Sequence, residues 1–186
     1  MRASVLGYLA RVPSPNVLAE RLEAATVLDK PAEKIAAVLD KTMGAGSVKP
    51  LLRGDWLGHT IHPLLTDVTI GTWTSALVLD LLRKDGANAL VATGLLALPA
   101  VLATGWSDWH DEEKRSPAIR RAGLVHAATN AVGANLQVAS LAARRRGERG
   151  RGFMLSAVAM GFIGAGGWLG GHLTYERGSR VEPQSP

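Results

Sequence analysis

The chain contains no cysteine, so it forms no disulfide, offers no thiolate nucleophile and ligates no iron–sulfur cluster. It also lacks the short motifs of common enzyme chemistries. No phosphate-binding glycine-rich loop, no Gly-x-Ser-x-Gly elbow and no His-Glu-x-x-His zinc helix occurs. A third absence is the most informative. Residues 87–107, 122–143 and 152–175 carry no Asp, Glu, Lys or Arg. A helix needs about 20 apolar residues to cross a bilayer core of about 30 Å, and each segment is that long. Residues 63–82 form a fourth such stretch, charged only at Asp67 and Asp80.

These runs predict an all-α fold, a four-transmembrane-helix up-and-down bundle over residues 56–178. A polar, helix-patterned N-terminal region with a linker precedes it over 1–55, and a disordered tail follows over 179–186. The mean hydropathy of +0.10 is then an average over two unlike parts. A net charge of +5 does not make this a nucleic-acid protein. The basic residues flank helices or share the N-terminal region with Glu20, Glu23, Asp29, Glu33 and Asp40. The densest cluster, Arg144, Arg145, Arg146, Arg149 and Arg151, joins two apolar runs, where lipid headgroups would meet it. The apolar core of Met1 to Arg11 is too short for a signal peptide, so membrane entry through the first span is expected.

Residues 3–11 read as a short helix stopped by Pro13 and Pro15. Val17 to Leu28 and Pro31 to Met43 read as amphipathic helices, the second with Ile35, Val38, Leu39 and Met43 on one face. Such helices can lie on the membrane, pack on the bundle or bind a partner. Gly44 to Gly54 is expected to be a linker. The first span starts near Pro63 and ends at Arg83–Lys84; the second carries a kink at Pro99. His110 to Arg115 form a loop, and Ser116–Pro117 caps and starts the third span. The fourth ends at Glu176. Trp56, Trp106, Trp109 and Tyr175 then form an interfacial aromatic belt.

In this arrangement His59, His62, His126 and His172 fall at one end of the bundle, with His110 in a loop beside them. Ionisable groups in membrane helices are costly and mark candidate sites. His126, Asn130, Gly133 and Gln137 are spaced by 4, 3 and 4 residues. They form one stripe, which must face the bundle interior because lipid offers no hydrogen-bond partner. At 1.5 Å per residue, Asp67, His126 and His172 share a layer, with Asp108 and His62 at its rim. Three chemistries fit it: axial ligation of a b-type haem by histidines from different helices, proton or ion handling, and interhelical hydrogen bonding alone. Glycines 161, 164, 166, 167, 170 and 171 in the last span favour close helix packing, dimerisation or room for a flat cofactor.

Four stretches carry a resemblance to a known family. They are GDWLGHTIHPLLTDVTIGTWTSALVLDL (54–81), ATGWSDW (103–109), GLVHAATN (123–130) and WLGGHLTYERG (168–178). From about Leu51 onward the chain resembles the DUF2231 family of uncharacterised bacterial membrane proteins. The family's first motif reads Gly-His-Pro-x-His-Pro; Thr60 stands here for its first proline, which loosens the turn between His59 and His62. His59, His62, Asp67, His126, Asn130 and His172 match family positions. Some members are fused to a Rieske domain, so the resemblance implies a separately encoded redox partner for this cysteine-free chain.

The combined expectation is a multi-pass protein of the bacterial cytoplasmic membrane without catalytic activity of its own. It acts either as a redox-associated subunit, with haem between His126 and His62 or His172, or as a scaffold whose polar layer is structural. Homo-oligomers are compatible with both.

Overall fold

The computed structural model describes residues 14–43 and 48–178. Those residues are helical with no strand among them. Three shorter helices come first: α1 (Pro15–Ala24), α2 (Asp29–Met43) and α3 (Val48–Arg53). Four long ones follow: α4 (His62–Leu81), α5 (Ala87–Glu112), α6 (Pro117–Arg145) and α7 (Arg149–Gly171). A π-helical turn over His172–Glu176 closes the last. The predicted helix at 3–11 and the tail at 179–186 lie outside the described residues.

Local chemistry sets the boundaries. Pro63 occupies the first turn of α4, where its missing N–H costs nothing. The helix stops where Lys84 N–H bonds the Leu79 carbonyl (2.8 Å) and Arg83 N–H the Asp80 carbonyl (3.0 Å), with Arg83 left-handed at φ 54°. This is a Schellman stop made without glycine. At the end of α6 the same pair of bonds forms around Gly147, at φ 82°. Ser116 caps α6 as expected, its hydroxyl accepting from Ala118 N–H at 3.2 Å.

Three boundaries differ from the sequence reading. The predicted linker is partly helical, as α3. The second N-terminal helix starts at Asp29 rather than Pro31, after a 3-10 turn over Thr26–Leu28. His110 is not in a loop, because α5 continues through the charged run to Glu112. That extension is possible because α2 and α3 cover the run and pair its charges.

Three helical segments are long and apolar enough to cross a membrane: His62–Leu81, Ala87–Glu112 and Arg149–Glu176. Helix α6 is long enough at 29 residues, about 43 Å. It falls short in apolarity, since Arg120, Arg121, His126, Asn130, Asn135, Gln137 and Arg144 all belong to it.

The long helices alternate in direction. Helices α6 and α7 make the most intimate pair, α4 and α5 the next, and α5–α6 and α4–α7 contacts close the ring. Glycines permit the closeness. A Cβ on Gly133 would lie 2.6 Å from Ile163, and one on Gly123 would lie 2.4 Å from Trp109. The centre is an apolar belt of Trp73, Ala134 and Ile163, flanked by Ile70, Leu95, Leu98 and Met160.

Helices α1 and α2 dock on the end where α4 begins and α7 ends. Ala19 of α1 packs with Ile119, Ala122, Leu169 and Leu173. Ala32, Ala36 and Leu39 of α2 pack on Trp109. Trp109 is therefore no part of an aromatic belt. It is buried under α2, edge-on to Trp106 at 5.5 Å. Trp56 and Tyr175 are the exposed aromatics of the predicted set.

Candidate functional site

The interior of the bundle is organised by two stripes. On α6, the predicted His126, Asn130, Gly133 and Gln137 continue through Ser140 to Arg144, spaced alternately by 4 and 3 residues. On α4 the same spacing runs through His62, Thr66, Thr69, Trp73, Ala76 and Asp80. The stripes share a register: 126 − 62 = 64, and Arg144 and Asp80 are likewise 64 residues apart. Both helices run the same way across the bundle. Histidines therefore collect at one end, and an Asp–Arg pair forms at the other.

At the histidine end, His126 Nδ1–H donates to the Gly166 carbonyl at 2.7 Å. Its Nε2 is then the acceptor, and it is met by Asn130 Nδ2 at 3.2 Å. The ring rests on glycine: a Cβ on Gly170 would lie 2.8 Å from it, and one on Gly166 would lie 2.6 Å from Asn130. His62 is seated in the same manner, 2.7 Å from where a Gly105 Cβ would be. The Thr104 hydroxyl donates to the Ala100 carbonyl at 2.8 Å, so its oxygen accepts from His62 Nδ1–H at 3.1 Å. His62 and His126 are thus the histidines seated inside the bundle at this end, each on its own glycine notch.

The other predicted members go elsewhere. His172 turns away from His126 toward the N-terminal helices. Its Nε2 bonds Glu23 at 2.9 Å, its ring stacks on Trp168, and its buried Nδ1 has no partner. His59 is exposed and bonds the Thr60 carbonyl, beside a shallow pocket lined by Arg53, Gly54, Asp55 and Gly58. Asp67 is not in the layer. It sits on the outer face of α4, because the inward positions of that helix are 62, 66, 69 and 73. Asp108 is half-buried on α5 at the histidine end. Gln137, fully buried, belongs to the opposite layer, two turns beyond Asn130.

In that layer Arg144 grips Asp80 with two hydrogen bonds of 2.9 and 2.5 Å. Arg144 Nε donates to Ser140 (3.0 Å), Ser140 lies 2.9 Å from Ser156, and Ser156 donates to Gln137 Oε1 (2.9 Å). Gly152 makes room, since a Cβ there would lie 2.4 Å from the Arg144 stem. Sequence reasoning placed Arg144 with the headgroup-facing arginines and missed this network. The signal was present: Ser140 and Arg144 extend the same stripe by 3 and 4. Between the layers lies the apolar belt, with Gly133 against Ile163. It interrupts any hydrogen-bonded column from end to end.

Carboxylates hold the N-terminal helices to the histidine end. Asp29 takes Arg121 Nε and Nη2 at 2.8 and 2.7 Å and Arg120 at 3.2 Å. Glu23 bonds Arg177 as well as His172. Asp40 accepts from His110 Nε2 at 2.8 Å and from Lys114 at 3.3 Å, and Lys49 bridges His110 and Asp111. Arg121 holds the Asp29 carboxyl below its ordinary range, and His110 with Lys114 does the same for Asp40. Burial pushes Glu23 up, but Arg177 and His172 outweigh it, so Glu23 is lowered too.

A carboxylate depressed in the fold stabilises above its unfolded value, about 4, and that contribution is lost as the pH falls below it. Docking of α1 and α2 should therefore weaken between about pH 5 and pH 3. Amide exchange over residues 15–43, corrected for intrinsic rates, should accelerate in that window before the long helices change. Equal protection at both pH values would contradict it.

The donor set does not fit a haem or a resident metal. The Nε2 of His126 bonds Asn130 and that of His172 bonds Glu23. Of the three predicted ligands only His62, held by Thr104 through Nδ1, has its Nε2 outside these bonds, and one imidazole does not supply a bis-histidine haem. Among the described residues no group of three His, Cys, Asp or Glu is placed to hold a metal ion.

No curated protein and no solved structure matches the chain. One protein-family comparison does, over residues 58–183, which span all four long helices. The chain therefore belongs to the DUF2231 family, described as predicted membrane proteins.

Proposed function

We propose that this protein is a four-span, non-catalytic scaffold of the bacterial cytoplasmic membrane, whose two polar layers lock four helices into one rigid unit. The observation that carries the reading is how nearly those layers satisfy themselves, with Gln137 Nε2 the buried donor of the inner layer left without a partner among the described residues. Side chains and backbone of neighbouring helices take up His62 Nδ1, His126 Nδ1, Asp80 and Arg144, Asn130 bonds His126 one turn back on α6, and glycine surfaces seat the rings. A site awaiting a ligand keeps convergent polar groups open to a cavity; here they close on each other.

The order of the helices supports reading α6 as a fourth span. It begins just after α5 ends and finishes just before α7 begins. If α5 and α7 both cross, the helix between them must cross back. Its polar stripe is tolerable because it faces protein. The N-terminal helices cap one end and offer the water-exposed surface through which a soluble or redox partner would be held. The haem-bearing version of the function finds no support in the donor set described above.

The scaffold reading makes His126 a stability residue. Replacing it with alanine removes the bond to Gly166 and the partner of Asn130 and leaves a gap over Gly170. The expected loss is about 2–4 kcal/mol, read as a lower melting temperature in detergent. A His126→Ala variant that melts with the wild type would defeat the reading.

A further inference from the structure

Helix α4 carries two acids, and the fold treats them oppositely. Asp80 turns inward to Arg144. Asp67 faces out and makes no hydrogen bond or ion pair among the described residues. It lies five residues beyond His62, about 7.5 Å along the helix, inside a segment apolar enough to cross a membrane. Lysine and arginine can snorkel to the headgroups from such a depth, but aspartate has a single methylene and cannot. Asp67 is also not alone. Gly71 and Thr74, spaced by 4 and 3, are exposed on the same stripe, with Leu64, Val68 and Val78 beside it. Nothing lies within 4 Å of where a Gly71 Cβ would be. A glycine one turn from an outward polar group lets a second backbone come close while the polar group is satisfied.

We propose that this stripe is the docking face for a membrane-spanning helix of another protein, one presenting a cationic side chain at the depth of Asp67. Charge complementarity selects the occupant. A two-fold pair of this chain through α4 would place Asp67 against Asp67, like charges in a medium that screens neither. A basic residue turns the same carboxylate into a desolvated, hydrogen-bonded ion pair. The proposal deepens the scaffold reading: it names the lateral surface by which the scaffold holds its partner, and it rests on that reading for the placement of α4 in the bilayer.

The test uses the full chain in neutral-lipid vesicles with a fluorescent leucine–alanine spanning peptide carrying one arginine at the matching depth. A peptide with leucine at that position is the control. The arginine peptide should associate roughly tenfold more tightly than the control, and Asp67→Leu should abolish the preference. Gly71→Leu should weaken association of both peptides. Because Asp67 is exposed, Asp67→Leu should melt no lower than the wild type. No arginine preference, or a preference that survives Asp67→Leu, overturns the proposal. Self-association of the wild type that Asp67→Leu removes would assign the face to a second copy instead, and also overturns it. The chain has no cysteine, so a spin label on Val68→Cys reports depth from a unique site. A label in hydrocarbon with no arginine preference defeats the docking face alone, whereas a label in water defeats the placement of α4 as well.

Discussion

Replacing Arg144 with alanine is expected to destabilise the bundle by about 3–5 kcal/mol, the usual cost of removing one partner from a buried ion pair. The side chain of Arg144 is fully buried and that of Asp80 is 10% exposed. Neither can turn to water when the other is lost. The arginine also donates to Ser140, which joins Ser156 and Gln137, so three further polar groups lose their arrangement. Lysine should not rescue the variant, because an ammonium cannot make the paired bonds of a guanidinium fork. Removing both charges should be milder than the sum of the single losses. A cycle of Asp80→Ala, Arg144→Ala and the double variant should show strong coupling. The neighbouring pair Arg149–Asp85 has the same sequence separation but is exposed on both sides. Its loss should cost at most about 1 kcal/mol. Thermal unfolding followed by circular dichroism separates the two cases. If Arg144→Ala is no worse than Arg149→Ala, the inner layer does not hold the helices together.

Gly94→Ala is the second large effect. A Cβ there would sit 2.3 Å from Trp73 Nε1, 2.7 Å from its Cδ1 and 2.8 Å from Thr72 Oγ1. The indole cannot retreat. It packs on Ala134 and Ile163 in the central belt, is 2% exposed, and donates to the Val91 carbonyl at 3.2 Å. One methyl group therefore either shifts α4 from α5 or breaks that bond. Overpacking and a lost hydrogen bond together come to about 2–4 kcal/mol. The glycines of α7 provide the contrast. Nothing lies within 4 Å of a Cβ at Gly164, so Gly164→Ala should be neutral or slightly stabilising. Melting temperatures should rank Gly164→Ala at or above wild type and Gly94→Ala well below it. Equal melting of the two variants would contradict the packing described for Trp73.

The same contrast shows what can be read without coordinates. Uncharged runs announce their helices because a bilayer-length apolar segment has few other uses, and Ser116–Pro117 announces a helix start. The stripe from His126 to Gln137 was legible because period and polarity coincide. Its extension to Arg144 was masked by composition: an arginine beside two more looks like a headgroup-facing loop, although the spacing of 3 and 4 through Ser140 marks it as the inward one. Asp67 was misplaced for a related reason. Depth along a helix follows from counting residues, but the side it faces depends on which neighbours flank it. His172 was at the correct end but paired with Glu23, a contact 149 residues distant in sequence that no local pattern encodes. The glycines had several readings in the sequence. Backbone geometry separates them into notches that seat a ring, such as Gly105 and Gly170, and open positions such as Gly161 and Gly164.

The central claim is that the polar layers are filled by the protein itself. Its most direct test is the absorption spectrum, with iron analysis, of the full chain purified in detergent from cells supplied with haem. The account predicts no Soret band and no stoichiometric iron. A Soret band with stoichiometric iron, lost on His126→Ala or on replacing His62, would contradict it and return the histidine layer to a cofactor site.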